Sequence, residues 1–489
     1  MKIGKKSKAL LTAGEIIVIF VVVFAFLFVL MKTISGGFRK DRNNSGANDV
    51  TNTAEPSKAV NPTREVRDLN GLEVTLVTWW DLEWENSQND YETAYWEMQN
   101  EAMKKYNYTL KNTKLMDWAL EYPEVFLLGV YENRPVGSIV CMDSRWIGPL
   151  MQTGALLDVS NLPSANWSDE KYNQAVIDMM SFNGALYGFA SGMEPRSGVF
   201  FNKDLFTAAG LSPELPYELQ ASGQWDFGHF KKLCAQLTRD VNNDGITDIY
   251  GVSSDNDTAI GAFLAANGTA LILKDGNSGL KLNVDDRRVN EALSFLHDEL
   301  IEEGYYRVQQ DEDSWDYFKD CFANGTVAML INEQYMGDEY HKIWNPSLDF
   351  GFVTMPKGPS ADDYTAVCRE NVMVLANCDA IRSAADDILF VYDIYTDVPA
   401  GMENDDRRWK RSYHLEESFD ERAINETCKQ IINVWEPYMP YTTYYLNDDA
   451  LWTYDIGNGS DPDKILNERA AEWSEQIEQF NRNMKEIAK

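Results

Sequence analysis

Histidine and cysteine are scarce in this chain of 489 residues: four of the first and six of the second. His229, His297, His341 and His414 lie far apart and form no H-E-x-x-H pair, which argues against a histidine-based metal centre. Cys141, Cys234, Cys321, Cys368, Cys378 and Cys428 show no C-x-x-C spacing, so neither a zinc site nor a dithiol redox site is signalled. Buried free thiols are the expectation, with one or two disulfides left open. A G-x-S-x-G elbow, a P-loop and a metalloprotease motif are all missing, which removes the commonest signatures of hydrolases and nucleotide enzymes. Positive charge is also short: beyond residue 63 the chain has 35 Lys and Arg against 73 Asp and Glu. So acidic a body repels phosphate backbones, so no nucleic-acid partner is expected, and a neutral or cationic ligand suits it better than an anion.

What is present begins with a basic segment, residues 1–8, carrying Lys2, Lys5, Lys6 and Lys8. An apolar stretch follows over residues 9–31, unbroken from Ile16 to Met31. As a helix it would reach about 35 Å, enough for a hydrocarbon core of about 30 Å. No small-x-small cleavage site closes it, and no cysteine stands beside it to take a lipid. The expectation is an uncleaved transmembrane signal-anchor, with a cleaved signal peptide as the competing reading. Residues 32–68, rich in Gly, Asn, Ser, Thr and Pro, cannot build a core and are expected to be a flexible linker.

From Leu69 the pattern is that of a folded body. Leu72, Val74 and Leu76 alternate with polar residues as a strand does, and Tyr95, Met98, Ala102 and Tyr106 recur at helical spacing. Further strands are expected at Val125–Val130, Ser138–Met142, Val199–Phe201, Val327–Ile331, Phe350–Met355 and Val372–Ala376, with helical stretches between several of them. Such alternation predicts an α/β fold. Asp461 and Pro462 open a last helix whose Leu466, Ala470, Trp473, Ile477, Phe480, Met484 and Ile487 step by four and three. It is expected to dock on the body rather than form a coiled coil.

Several ordered segments resemble a known family. Residues 172–211 hold a G-x-x-Y-G turn (GALYG), a strand, then FNK and F-x-x-x-G-L. Residues 224–252 (QWDFGHFKKLCAQLTRDVNNDGITDIYGV) hold a Trp-Asp helix start, an acidic turn and a Tyr-Gly strand. FANGTVAM and FGFVTMPKGP follow from Phe322 and Phe350. Together they are similar to extracellular solute-binding proteins of the carbohydrate-importing, maltose-binding-protein-like type. The resemblance implies a two-lobed periplasmic-binding-protein-like fold whose lobes close on a ligand about a hinge. It places crossings near Ser191–Arg196, Ala366–Val372 and Ile432–Pro437. Lobe 1 is then residues 69–192 plus 367–432, and lobe 2 is residues 193–366 plus 433–489. It also implies a carbohydrate ligand, ABC-transporter permease subunits as partners, a monomer with its large C-terminal part outside the cell, and no catalytic residues.

Sugars present hydroxyl edges, which carboxylates and Arg forks satisfy, and apolar faces, which aromatic rings cover. Trp80, Asp81 and Trp84 follow the first strand, and Asp143, Arg145 and Trp146 follow the strand at Ser138–Met142. Strand-to-helix loops of this kind line ligand crevices in α/β sheets. Strand alternation buries one of Trp79 and Trp80. Glu194 and Arg196 lie in the first crossing, and Trp435 and Trp452 flank the third. Tyr335, in INEQY, falls where the family pattern Ile-Asn-Gly-Pro-Trp carries a sugar-stacking Trp. Asp240, Asn242, Asp244, Ile246 and Asp248 fit a D-x-N-x-D-G-x-x-D loop, whose alternate oxygens can converge on calcium. Gly251 replaces the usual bidentate Glu, so a structural calcium and a plain acidic turn both stay open, and no other cofactor is expected. The competing functions are a membrane-anchored carbohydrate-active enzyme and a ligand-sensing module for a membrane kinase.

Overall fold

Val74, Leu76 and Val77 are buried along Leu72–Thr78 (β1), which makes it an inner strand of a parallel group. The computed structural model describes residues 64–79, 90–117, 119, 121–191, 197–276, 279–338, 347–365, 371–402, 418–428 and 451–487. Among them no helix is long and apolar enough to cross a membrane, and the span expected at 9–31 lies outside them. Val66–Lys489 forms one unit.

β1 is flanked in parallel by Tyr108–Lys114 (β2) and Ile139–Asp143 (β3). The helices Asp90–Tyr106, Tyr122–Tyr131 and Ser144–Gln152 follow the three strands in turn, the right setting for a parallel sheet with covering helices. Val125–Val130, expected as a strand, lies in the second of these helices. Pro123 stands in its first turn, and Tyr122, Phe126, Leu127 and Val130 are buried. Leu128 and Tyr131 are exposed apolar residues on the other side, and they masked the helical period. A short hairpin, Ser181–Phe182 (β4) with Ala185–Leu186 (β5), follows.

Ser197–Asn202 (β6) belongs to a second sheet. Tyr250–Ser253 (β7), Val327–Glu333 (β10) and Phe350–Val353 (β11) complete it in the order β11-β6-β10-β7. Ile272–Asp275 (β8) and Gly279–Leu282 (β9) form a separate hairpin. Asn371–Val374 (β12) returns to the first sheet, whose order is β12-β3-β1-β2. The chain therefore passes between sheets from 191 to 197 and from 353 to 371. Both passages join the same kind of edge. β6 begins at Ser197 opposite Glu333, the last residue of β10, and β12 begins at Asn371 opposite Asp143, the last residue of β3. The edges where β3 and β10 end thus look towards one another across the crossings, which is the architecture of two α/β lobes.

Contacts place the third return earlier than residue 432. Residues 418–428 already pack on the second sheet. Phe419 sits among Phe200, Phe350 and Phe352 with ring centroids 6.0, 5.8 and 5.5 Å away. Lys203 pairs with Asp420 at 2.7 Å, the Tyr217 hydroxyl donates to Asp420 at 2.9 Å, and Gln220 donates to Thr427 at 3.0 Å. Residues 418–428 therefore belong with the second lobe rather than with lobe 1, where the resemblance puts them.

The last helix, Pro462–Ile487, buries Leu466, Trp473, Ile477, Phe480 and Met484, as its four-and-three stepping predicts. It touches both lobes rather than the second alone. Asn481 accepts from the Leu280 amide at 2.8 Å and donates to the Leu280 carbonyl at 2.9 Å, acting as a partner for the edge of β9. That contact needs Gly279, since a Cβ there would meet the Asn481 Oδ1 at 2.9 Å. On the other side Phe480 packs on Phe182 at 5.3 Å, and the Asn183 amide donates to the Met484 carbonyl at 3.1 Å.

Candidate functional site

Both edges carry buried polar groups. On the first lobe they are Thr78, Asp143 and Ser144; on the second, Ser197, Ser253, Ser254, Asn332, Glu333 and Gln334. Side chains at strand ends of an open α/β sheet point into the crevice beyond the sheet.

Three aromatic rings meet at the first edge. Trp79 follows β1, Tyr122 opens the helix after β2, and Trp146 lies in the first turn of the helix after β3. Trp79 stands edge-on to Tyr122 at 5.7 Å and to Trp146 at 5.9 Å, while Tyr122 and Trp146 are stacked at 5.5 Å with 19° between planes. Such geometries contribute beyond simple burial, so each ring fixes the other two. The Tyr122 hydroxyl and the Ser144 Oγ beside this cluster are buried without a hydrogen-bond partner. Burial pushes the Tyr122 phenol up from its ordinary value, with a smaller contribution from Cys141. The group stays neutral, able both to donate and to accept. An unpaired buried hydroxyl is costly, and a water or ligand oxygen bonded to it would relieve that cost.

Of the residues singled out from sequence, Asp143 is 7% exposed at the end of β3, beside Ser144 and the rings. Trp146 is 9% exposed and wedged on Tyr122, so it frames the edge more than it offers a free face. Tyr335 follows β10 at the second edge and is 47% exposed. Trp452 is not at an edge: it is fully buried against Trp473 at 5.4 Å, in the core under the last helix. Trp80, Asp81, Trp84, Glu194, Arg196 and Trp435, and the side chain of Arg145, lie outside the described residues. Tyr122 was missed because the Val125–Val130 run that follows it reads as a strand; Pro123 beside it was the available signal for a helix start.

Asp240, Asn242, Asp244, Ile246 and Asp248 form an exposed turn closed by the Arg239–Ile249 bridge. Its carboxylates cap its own amides. Asp240 accepts from Asn243 at 2.7 Å and Gly245 at 2.8 Å, and Asp248 accepts from Val241 at 2.7 Å. Among the described residues no group of three or more His, Cys, Asp or Glu is placed to hold a metal ion. Elsewhere on the second lobe an open groove of about 700 Å³ lies between Phe227, Lys231, Glu291, Phe295 and Lys357. Helices and a loop wall it rather than strand ends, so it is separate from the facing edges.

Comparison with known proteins agrees with this architecture. Among solved structures, the chain is similar to the cyclic alpha-maltosyl-1,6-maltose binding protein from Arthrobacter globiformis, at 15% identity over 84% of this chain and 100% of that one, with a TM-score of 0.58. The GacH receptor of Streptomyces glaucescens aligns at 13% identity over 83% of this chain and 99% of its own, with a TM-score of 0.55. The sugar-binding protein MalE from Xanthomonas citri aligns at 14% identity over 85% and 98%, also with a TM-score of 0.55. At these identities the shared property is the fold. No curated protein sequence matches. Residues 132–385 match the family model described as bacterial extracellular solute-binding protein, more than half of the chain. With two α/β lobes and polar, aromatic edges facing across their crossings, the chain belongs to the bacterial extracellular solute-binding protein family.

Proposed function

We propose that this protein captures a carbohydrate between its two lobes, leaves it chemically unchanged, and delivers it to an ABC-type importer. The observation that carries the reading is the composition of the facing edges: aromatic rings beside buried hydroxyls and carboxylates, with Tyr335 exposed opposite. Such an edge suits a ligand with alternating apolar faces and hydroxyl rims. The similar proteins point the same way, since the Arthrobacter protein is a cyclic maltosyl-maltose binder and the Streptomyces receptor was solved with acarbose. A ligand touching both edges would bind the closed arrangement better than the open one. It would pull the population towards closure by that difference in affinity. The apolar stretch 9–31 would hold the monomer at the membrane, and the linker would let the body reach the permease.

Scattering and calorimetry on the soluble body test this together. Maltose, maltotetraose and mannotriose are the probes. A binding sugar should reduce the radius of gyration, raise the melting temperature and be recovered intact, and Tyr335→Ala should weaken it about tenfold. Steady turnover of a sugar, lost on replacing one edge carboxylate, would assign an enzyme instead.

A further inference from the structure

Among the described residues, one large aromatic side chain is exposed far more than the rest of its kind. Trp315 is 77% exposed, whereas Trp225, Trp452 and Trp473 are fully buried. A lone exposed aromatic is ordinary on a protein surface. The place and the bracing of this one are not. Tyr306 extends the second sheet as a parallel bridge to Val252 in β7, so the chain after it leaves at the edge where β7 and β10 end. The helix Tyr317–Ala323 starts at that same edge, because the Tyr317 hydroxyl donates to the carbonyls of Arg307 at 3.1 Å and Ser254 at 3.4 Å. Trp315, two residues before Tyr317, therefore stands on the rim of the second lobe, on the edge that also carries Tyr335.

The loop between is held at several points. Arg307 pairs with Asp313 at 2.8 Å, both mostly shielded from solvent, and its guanidinium lies 5.3 Å from the Tyr317 ring. Asp313 also accepts from the Gln310 amide at 2.7 Å, and the Ser253 hydroxyl donates to the Arg307 carbonyl at 2.9 Å. The Lys319 ammonium lies over the Trp315 ring at 5.5 Å from its centroid. The indole is thus presented to solvent by a braced loop, which lowers the ordering cost of any contact it makes.

We infer that Trp315 forms an outer subsite on the rim, stacking on a sugar ring beyond the one covered by Tyr335, and so favours oligosaccharides over disaccharides. This rests on the carbohydrate reading above. Two exposed rings on one edge can cover successive apolar faces of a chain of sugars, whereas a disaccharide held at the inner ring has nothing to place on the outer one.

Titration calorimetry with maltose, maltotetraose, mannobiose and mannotetraose decides it, using wild type, Trp315→Ala and Trp315→Phe. For the series that binds, Trp315→Ala should lose about tenfold in affinity for the tetrasaccharide and less than about twofold for the disaccharide, and Trp315→Phe should stay within about threefold of wild type for both. The melting temperature of the free variants should match wild type, since the ring is exposed. If Trp315→Ala binds every length as wild type does, the outer subsite is refuted while the carbohydrate reading stands. An equal loss for both lengths also refutes it, because it would reflect a change in the fold of the rim. A wild type that binds none of the four sugars overturns the subsite and the carbohydrate reading together.

Discussion

Replacing Tyr122 by Phe removes one oxygen and nothing else. That oxygen is buried at the first lobe's edge without a hydrogen-bond partner, and its ring is stacked on Trp146 and edge-on to Trp79. A buried hydroxyl left unpaired costs roughly 1–3 kcal/mol against its hydrated state in the unfolded chain. The ring contacts survive in Tyr122→Phe, and the space left by one oxygen is small, so most of that cost should be recovered as stability. A unit this long unfolding as one would gain about 1 °C per kcal/mol, so the expected rise in melting temperature is about 1–3 °C. If the hydroxyl is kept for a ligand, the same variant should bind sugar more weakly, about five- to tenfold for one lost hydrogen bond. Differential scanning calorimetry of the ligand-free body and titration of a binding sugar measure the two effects. A fall of several degrees in the ligand-free variant would refute the reasoning, because it would mean that the hydroxyl is already bonded, for instance to water. Stability up with affinity unchanged would leave the hydroxyl without a role in binding.

Three further outcomes are expected. Trp473→Ala should destabilise by about 3–5 kcal/mol, because its ring is fully buried against Trp452; urea denaturation showing under about 1 kcal/mol would make the last helix peripheral. Burial raises the phenols of Tyr122, Tyr172, Tyr217 and Tyr317, and pushes Tyr364 up to about 12. Their folded values lie above the unfolded one near 10, so this contribution is complete below about pH 10 and is lost as pH rises through the folded values. Urea midpoints should hold from pH 8 to 9.5 and drop steeply above 10, while a flat profile to pH 11.5 would contradict the burial of these rings. Because its carboxylates already cap its amides, the Asp240–Asp248 turn should ignore chelator; a melting temperature that falls with chelator and no longer does so in Asp244→Ala would assign a calcium ion there instead.

Local patterning carried a good part of the fold. The Pro462–Ile487 helix and the strands β1, β3, β6, β10, β11 and β12 all coincide with runs legible from alternation, stepping and caps, because each depends on neighbours within a turn or a strand. The Val125–Val130 run failed for the same reason. Leu128 and Tyr131 are exposed, and an apolar residue on the wrong face removes the period that distinguishes a helix from a strand. The third return to the second lobe was placed too late because it depends on Phe419 finding three rings of the second sheet and Asp420 finding Lys203, none of them near in sequence.

The candidate site divides along the same line. From the amino-acid order alone came the acidic body and the strand-end loops rich in Trp and Asp, which follow from composition and from the rule that strand ends line crevices. Tyr335 came from the resemblance to the solute-binding family, and its exposure from the structure. Only tertiary structure separated Trp452, a core ring, from Trp146, a ring at the edge, since both are tryptophans at helix starts and burial is a property of what packs against them. It alone brought Trp79, Tyr122 and Trp146 together from three connections and left the Tyr122 hydroxyl unpaired among them. It alone also set Trp315 on the edge that carries Tyr335. Contacts between residues distant in the chain are made by the packing of whole elements, and no local pattern encodes which of many similar side chains will meet.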